Sequence, residues 1–177
     1  QQWRERLGMP REPQWDTVLN KLSPLPIQDS VYVTYEGIPD MWTKYTFEHP
    51  ALTGVFGMLP GDGVDTTVYR RTLDKVNREW QSDRIWGWDF PMMAMGAARS
   101  GNPELAIDML MHNSKQFRFD EHGLASGGPW PYFPSNGGLL TAVAMMAGGW
   151  DGSQGEAPGF PKNGKWVVKY ENFVPMQ

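Results

Sequence analysis

The chain has 177 residues and a formal net charge of -4, with a pI near 5.3, which is enough length for one domain with a real core. No Lys/Arg cluster appears, which argues against a nucleic-acid or polyphosphate surface, and the absence of Cys removes disulfides and thiolate metal sites. Nine Trp, six Tyr and eight Phe with only 20% charged residues suit a carbohydrate cleft, where flat rings stack on sugar faces, or equally a wide helical core filled by rings.

The chain opens at Gln1 without an initiator Met and reads at once as the end of a helix closed by Gly8. A C-terminal fragment or a cleaved chain is therefore expected. Residues Pro13 to Leu22 predict a short helix with Trp15, Val18, Leu19 and Leu22 on one face, stopped by Ser23-Pro24-Leu25-Pro26. Val31 to Tyr35 is β-branched and aromatic and predicts a strand. Glu36 to Glu48 then reads as a long irregular loop with Glu36, Asp40, Trp42, Tyr45 and Glu48; loops of that length are usually functional or mobile.

His49-Pro50 starts a predicted short helix through Met58, ended by the turn Leu59-Pro60-Gly61-Asp62-Gly63. Val64 to Gln81 predicts an outer, half-exposed helix with Val64, Val68, Leu73, Val76 and Trp80 along one stripe. Phe90 to Arg99 follows as a nearly apolar helix, because Asp89 is the only ionisable residue between Ile85 and Ala98. Asn102-Pro103-Glu104 is a helix start so close behind that the two helices must form an antiparallel hairpin. After a Gly/Pro/aromatic loop from Gly123 to Pro134, Ser135 is placed to cap a last helix ending at Gly148-Gly149. No ionisable side chain lies between Gly137 and Trp150.

A helix apolar all round belongs in a core or a membrane, and these two runs are shorter than the roughly 18 to 20 residues a bilayer requires. They are expected at the centre of the molecule, burying Leu140, Val143 and Met146. Lys165 to Tyr170 alternates apolar and polar residues and predicts a terminal strand.

Asp89 has two readings. It can cap the helix that Pro91 opens, or serve as a carboxylate tuned by burial among Trp86, Trp88 and Phe90. Glu36 and Glu48 are candidate catalytic partners, since glycoside hydrolysis needs two carboxyl groups, about 6.5 to 9.5 Å apart in an inverting enzyme; each is also an ordinary solvated loop acid. His49 is expected near a helix start. With His112 and His122 it makes no metal-ligand spacing, so no metal and no cofactor is expected. Asn136 can bond sugar hydroxyls or organise a turn.

The succession His49-Pro50-Ala51-Leu52-Thr53-Gly54, Trp86-Gly87-Trp88-Asp89-Phe90-Pro91, Asn102-Pro103-Glu104 and Tyr132-Phe133-Pro134-Ser135-Asn136-Gly137-Gly138 resembles the C-terminal part of bacterial six-hairpin glycosidase-like proteins, the layout of the 1,2-α-L-fucosidase and maltose phosphorylase groups. The resemblance spans residues 30 to 177. It implies a mainly α fold, the last hairpins of an (α/α)6 toroid over about 30 to 150, with a closing loop and short β element over 151 to 177. Fucosidase-like members carry a catalytic Asp in the loop before the final inner helix, where this chain reads Tyr132 to Asn136 with no Asp, leaving Asp89, Glu48 and Glu36 as substitutes.

The function implied is inverting hydrolysis of an oligosaccharide, with Trp86, Trp88, Trp42, His49, Trp130, Tyr132 and Asn136 binding the sugar. The alternatives are a toroid that binds glycan without cleaving it and a polysaccharide lyase, which would need basic residues for a uronate. The expected partners are a glycan and either the rest of a parent chain or a second copy, with no nucleic acid and no membrane. The expected location is periplasmic or secreted.

Overall fold

In the computed structural model, which describes residues 1–176, the chain is mainly helical. In chain order the elements are α1 (Gln2–Arg6), α2 (Pro13–Leu19), β1 (Ile27–Gln28), β2 (Val31–Tyr32), α3 (Met41–Lys44), a 3-10 turn (Ala51–Thr53), α4 (Thr66–Glu79), α5 (Asp89–Arg99), α6 (Pro103–Leu110) and α7 (Phe133–Gly148).

The core is built around α5, in which every residue from Asp89 to Ala98 is buried. With no ionisable side chain between Asp89 and Arg99 at its two ends, the body of this helix is stable only when packed all round. It pairs with α6 as the expected hairpin and packs α7 and α4 on its other sides. Asn102 accepts from the Leu105 N–H at 3.1 Å, starting α6 with Pro103 at its first turn.

Helix α4 is capped by Asp65, whose carboxylate accepts from the N–H groups of Thr67 and Val68. It buries Tyr69, Thr72, Leu73 and Val76, so the core stripe includes two polar-tipped residues that hydropathy alone passes over. Both tips work. Thr72 accepts from the Tyr32 N–H at 2.8 Å, and the Tyr69 hydroxyl donates toward Thr53 O at 2.8 Å and Phe56 O at 3.0 Å.

Several expectations are corrected. The predicted strand at 31 to 35 shrinks to Val31–Tyr32, paired antiparallel with Ile27–Gln28 across a turn at Asp29 and Ser30; no third strand extends the pairing among the described residues. The segment after His49 forms only one 3-10 turn, because Gly57 takes a φ of 111° and lies against the backbone of Gly96, a path that a continued helix could not follow. Lys165 to Tyr170 forms no strand, and Val167 is 86% exposed.

Helix α7 does not sit at the centre. Met146 is fully buried, whereas Leu140 is 70% exposed and Val143 is also exposed; α7 packs on α5 and its C-terminal end lies against Gly159 and Phe173, which leaves the face that carries Leu140 uncovered among the described residues. Nor does Ser135 cap it. Ser135 lies inside the first turn, buried, with its hydroxyl donating to Ser126 O. The stripe Trp15, Val18, Leu19 and Leu22 is likewise exposed, and α1 and α2 bury no residue.

The tight seat of the 49–58 segment on α5 gives a test. A Cβ on Gly96 would collide with the Tyr69 hydroxyl, whereas one on Gly137 would meet nothing within 4 Å. Gly96→Ala should lose ~1 to 3 kcal/mol through overpacking, and Gly137→Ala should be neutral or gain up to ~1 kcal/mol in helix propensity. Thermal unfolding of both variants checks the pair; equal midpoints would contradict this packing.

Candidate functional site

The turn that precedes α5 brings the candidate residues together. Asp89 N–H donates to Trp86 O at 3.1 Å, and in return the Asp89 carboxylate accepts from the Trp86 N–H at 2.8 Å. Asp89 is therefore the first residue of α5 and caps no helical N–H; its carboxylate turns back to close the preceding turn. Gly87 lets this turn approach its neighbours, because a Cβ there would overlap the Ser135 hydroxyl and crowd the carbonyls of Gln116 and Ser126. The Gly87 N–H donates to Gly127 O at 3.0 Å.

Both oxygens of Asp89 lie 3.0 Å from Nδ1 of His49. Asp89 has no exposed side-chain surface, while the His49 side chain is 37% exposed. A buried carboxylate without partners would be strongly penalised, and His49 with the Trp86 N–H supplies what it needs. His49 is itself held on both sides. The Trp80 indole N–H donates to Glu48 O at 2.6 Å, and beyond the His49-Pro50 step the Tyr69 hydroxyl holds Thr53 and Phe56.

Aromatic rings surround the pair. The His49 ring lies 5.5 Å from that of Trp86 and 5.3 Å from that of Trp88, and Trp86 meets Tyr132 edge-on at 5.3 Å. The turn before α5 and the residue before α7 thus meet at one place. Burial, and next the charge of Asp89, raise the pKa of the Tyr132 phenol. Nε2 of His49 has no hydrogen bond among the described residues.

Other predicted site residues lie elsewhere or are occupied. Trp42 packs edge-on against Trp80 at 5.8 Å and under the Lys75 ammonium at 4.6 Å, which makes it part of the α4 surface. Glu36 and Glu48 are exposed, and Glu48 meets the site only through its backbone. Trp130 is 60% exposed on the loop. Asn136 is a loop clamp: its amide donates to Gly123 O at 2.6 Å and accepts from the Ala125 N–H at 3.3 Å. Among the described residues no group of three or more His, Cys, Asp or Glu could hold a metal ion.

The link between His49 and Asp89, forty residues apart, is what sequence reasoning missed. One signal for it existed. A lone carboxylate in an apolar stretch demands a buried partner.

Burial is the largest influence on Asp89 and raises its pKa above the ordinary 3.8, against the lowering effects of His49 and the Trp86 N–H. A carboxyl with a raised folded pKa gives its full stability below the unfolded value and loses it as pH climbs through the folded one. Asp89→Asn removes this titration. Denaturant unfolding from about pH 4 to about pH 7 should show the Asn variant gaining on the parent as pH rises; a stability difference that does not change with pH would contradict the burial of this charge.

No protein family, no curated protein and no solved structure matches this chain.

Proposed function

We propose that the chain is part of a glycoside hydrolase-like protein and that the aromatic end of α5 and α7 receives a neutral oligosaccharide. The observation that carries this reading is the His49–Asp89 pair flanked by Trp86, Trp88 and Tyr132. Ligand sites combine apolar, ring-lined walls with a few fixed polar groups, and sugars offer both an apolar face for stacking and hydroxyls for hydrogen bonds. The antiparallel α5–α6 hairpin, with α7 beside α5, is consistent with the closing hairpins of an (α/α)6 toroid. Its resemblance to the six-hairpin glycosidase-like layout supports inverting hydrolysis.

Binding without cleavage is the second reading, favoured by one observation. Asp89 has both oxygens engaged and no exposed surface, so it cannot touch a substrate as it stands. A lyase acting on a uronate has less support, because the sequence offers no Lys/Arg cluster to neutralise one.

Titration of the chain with neutral oligosaccharides should quench or shift its tryptophan fluorescence. Trp86→Ala or Trp88→Ala should weaken binding about tenfold or more, ~1.4 kcal/mol. New reducing ends would separate hydrolysis from binding alone. Sugars that leave the fluorescence unchanged, or variants that bind as tightly as the parent, would overturn the reading.

The exposed apolar faces of α2 and α7 support a second partner, either the rest of a parent chain or another copy, because large apolar patches mark association surfaces. Sedimentation of the purified chain should give a mass above 20.1 kDa that rises with concentration, and Leu140→Lys should reduce it. A concentration-independent monomer would remove self-association.

A further inference from the structure

Asp89 is the acidic residue at the centre of the site, yet it is shielded from any ligand. It has no exposed side-chain surface, and its oxygens are taken by His49 Nδ1 and the Trp86 N–H. The group that reaches the surface is the imidazole. Nδ1 faces a carboxylate, which favours the neutral tautomer with its proton on Nδ1 and leaves Nε2, which has no hydrogen bond among the described residues, with a free lone pair on a side chain that is 37% exposed. The Trp86 and Trp88 rings at 5.5 and 5.3 Å restrict the imidazole plane, and the backbone at Glu48 is held by Trp80. A base held in one tautomer and one orientation by a buried carboxylate is the arrangement that hydrolytic sites use to move a proton.

We infer that His49 is the catalytic base of this site and Asp89 its positioning residue, with Nε2 removing a proton from the water that attacks the anomeric carbon of a bound sugar. The inference rests on the carbohydrate reading above and goes past it by naming the proton-accepting atom. In the step, an O–H bond of water breaks and its proton passes to Nε2 as the oxygen bonds to the anomeric carbon. The bond from that carbon to the leaving group breaks, and the leaving group departs with the electron pair. An oxygen leaving group takes its proton from solvent, and His49 returns its proton to solvent. With a glycosyl fluoride the leaving group is fluoride, which needs no proton, so that substrate isolates the base.

The titratable groups around His49 are Asp89 beneath it, Glu48 beside it in the chain and Tyr132 across the Trp86 ring. A pH profile must therefore be compared with that of Glu48→Gln, which should keep the acidic limb along which a general base is lost.

The experiment has three parts, all on the full chain. Long-range 1H–15N correlation spectra should place the neutral His49 proton on Nδ1, and Asp89→Asn should shift the population toward the Nε2–H tautomer; a parent ring protonated on Nε2 overturns the inference whatever the activity. Fluorescence titration with oligosaccharides tests the underlying reading by itself, and if no sugar binds, the inference falls with it. Hydrolysis of α- and β-glycosyl fluorides should fall about 100-fold or more in kcat for His49→Ala with sugar binding retained, and added imidazole should restore part of that loss. Asp89→Asn should lower kcat more than it changes KM. A chain that binds sugar but cleaves no fluoride, or a His49→Ala variant with full turnover, sinks the assignment of His49 while leaving the binding site intact.

Discussion

The constraint on which the rest of this structure depends is a single buried carboxylate. Asp89 stands at the start of a helix that is buried along nearly its whole length, and a charge in such a place is tolerated only when its oxygens are fully engaged. Its two partners come from different parts of the chain, the Trp86 backbone three residues back and the His49 ring forty residues back. Satisfying one carboxylate therefore fixes the turn before α5 and draws the 49–58 segment across the same helix end. No buried side-chain polar atom is left without a partner among the described residues.

Around that point the scaffold is reciprocal. Trp80, which follows α4, holds the segment before His49, and Tyr69 of α4 holds the segment after it, while α4 is itself tied to the short hairpin through Thr72 and Tyr32. On the other side, the loop from 116 to 127 bonds to the Gly87 turn and to Tyr132, whose N–H donates to Ala125 O at 2.9 Å. The Phe90 ring stacks on Phe117 at 5.1 Å, which anchors the same loop from beneath. Many of the polar bonds here serve to hold one imidazole and three aromatic rings at one end of the molecule. Sites held on such a shell are positioned more precisely than sites on free loops.

The surface shows the opposite economy. Helix α7 has no ionisable residue and leaves Phe133, Leu140 and Val143 exposed, and the N-terminal segment exposes Trp3, Trp15, Val18, Leu19 and Leu22. Scattered exposed apolar residues are ordinary, but these follow helical stripes. These stripes leave α7, a helix with the composition of a central element, open on the side that carries Leu140 and Val143.

Local signals in the sequence determined the helices that carry the site. The uncharged stretches at 90 to 98 and 137 to 148 and the Asn102-Pro103 start follow from composition, capping and short connections, all of which act within a few residues. Tertiary structure decided the rest. Whether Leu140 is covered, whether Val31 to Tyr35 finds a strand to pair with, and whether Asn136 meets a ligand or its own loop depend on neighbours distant in the chain. The decisive case is Asp89. Its isolation among apolar residues was visible in the sequence, but sequence spacing has no term for a contact over forty residues, so only the folded chain could show that its partner is His49 and that the imidazole, rather than the carboxylate, faces outward.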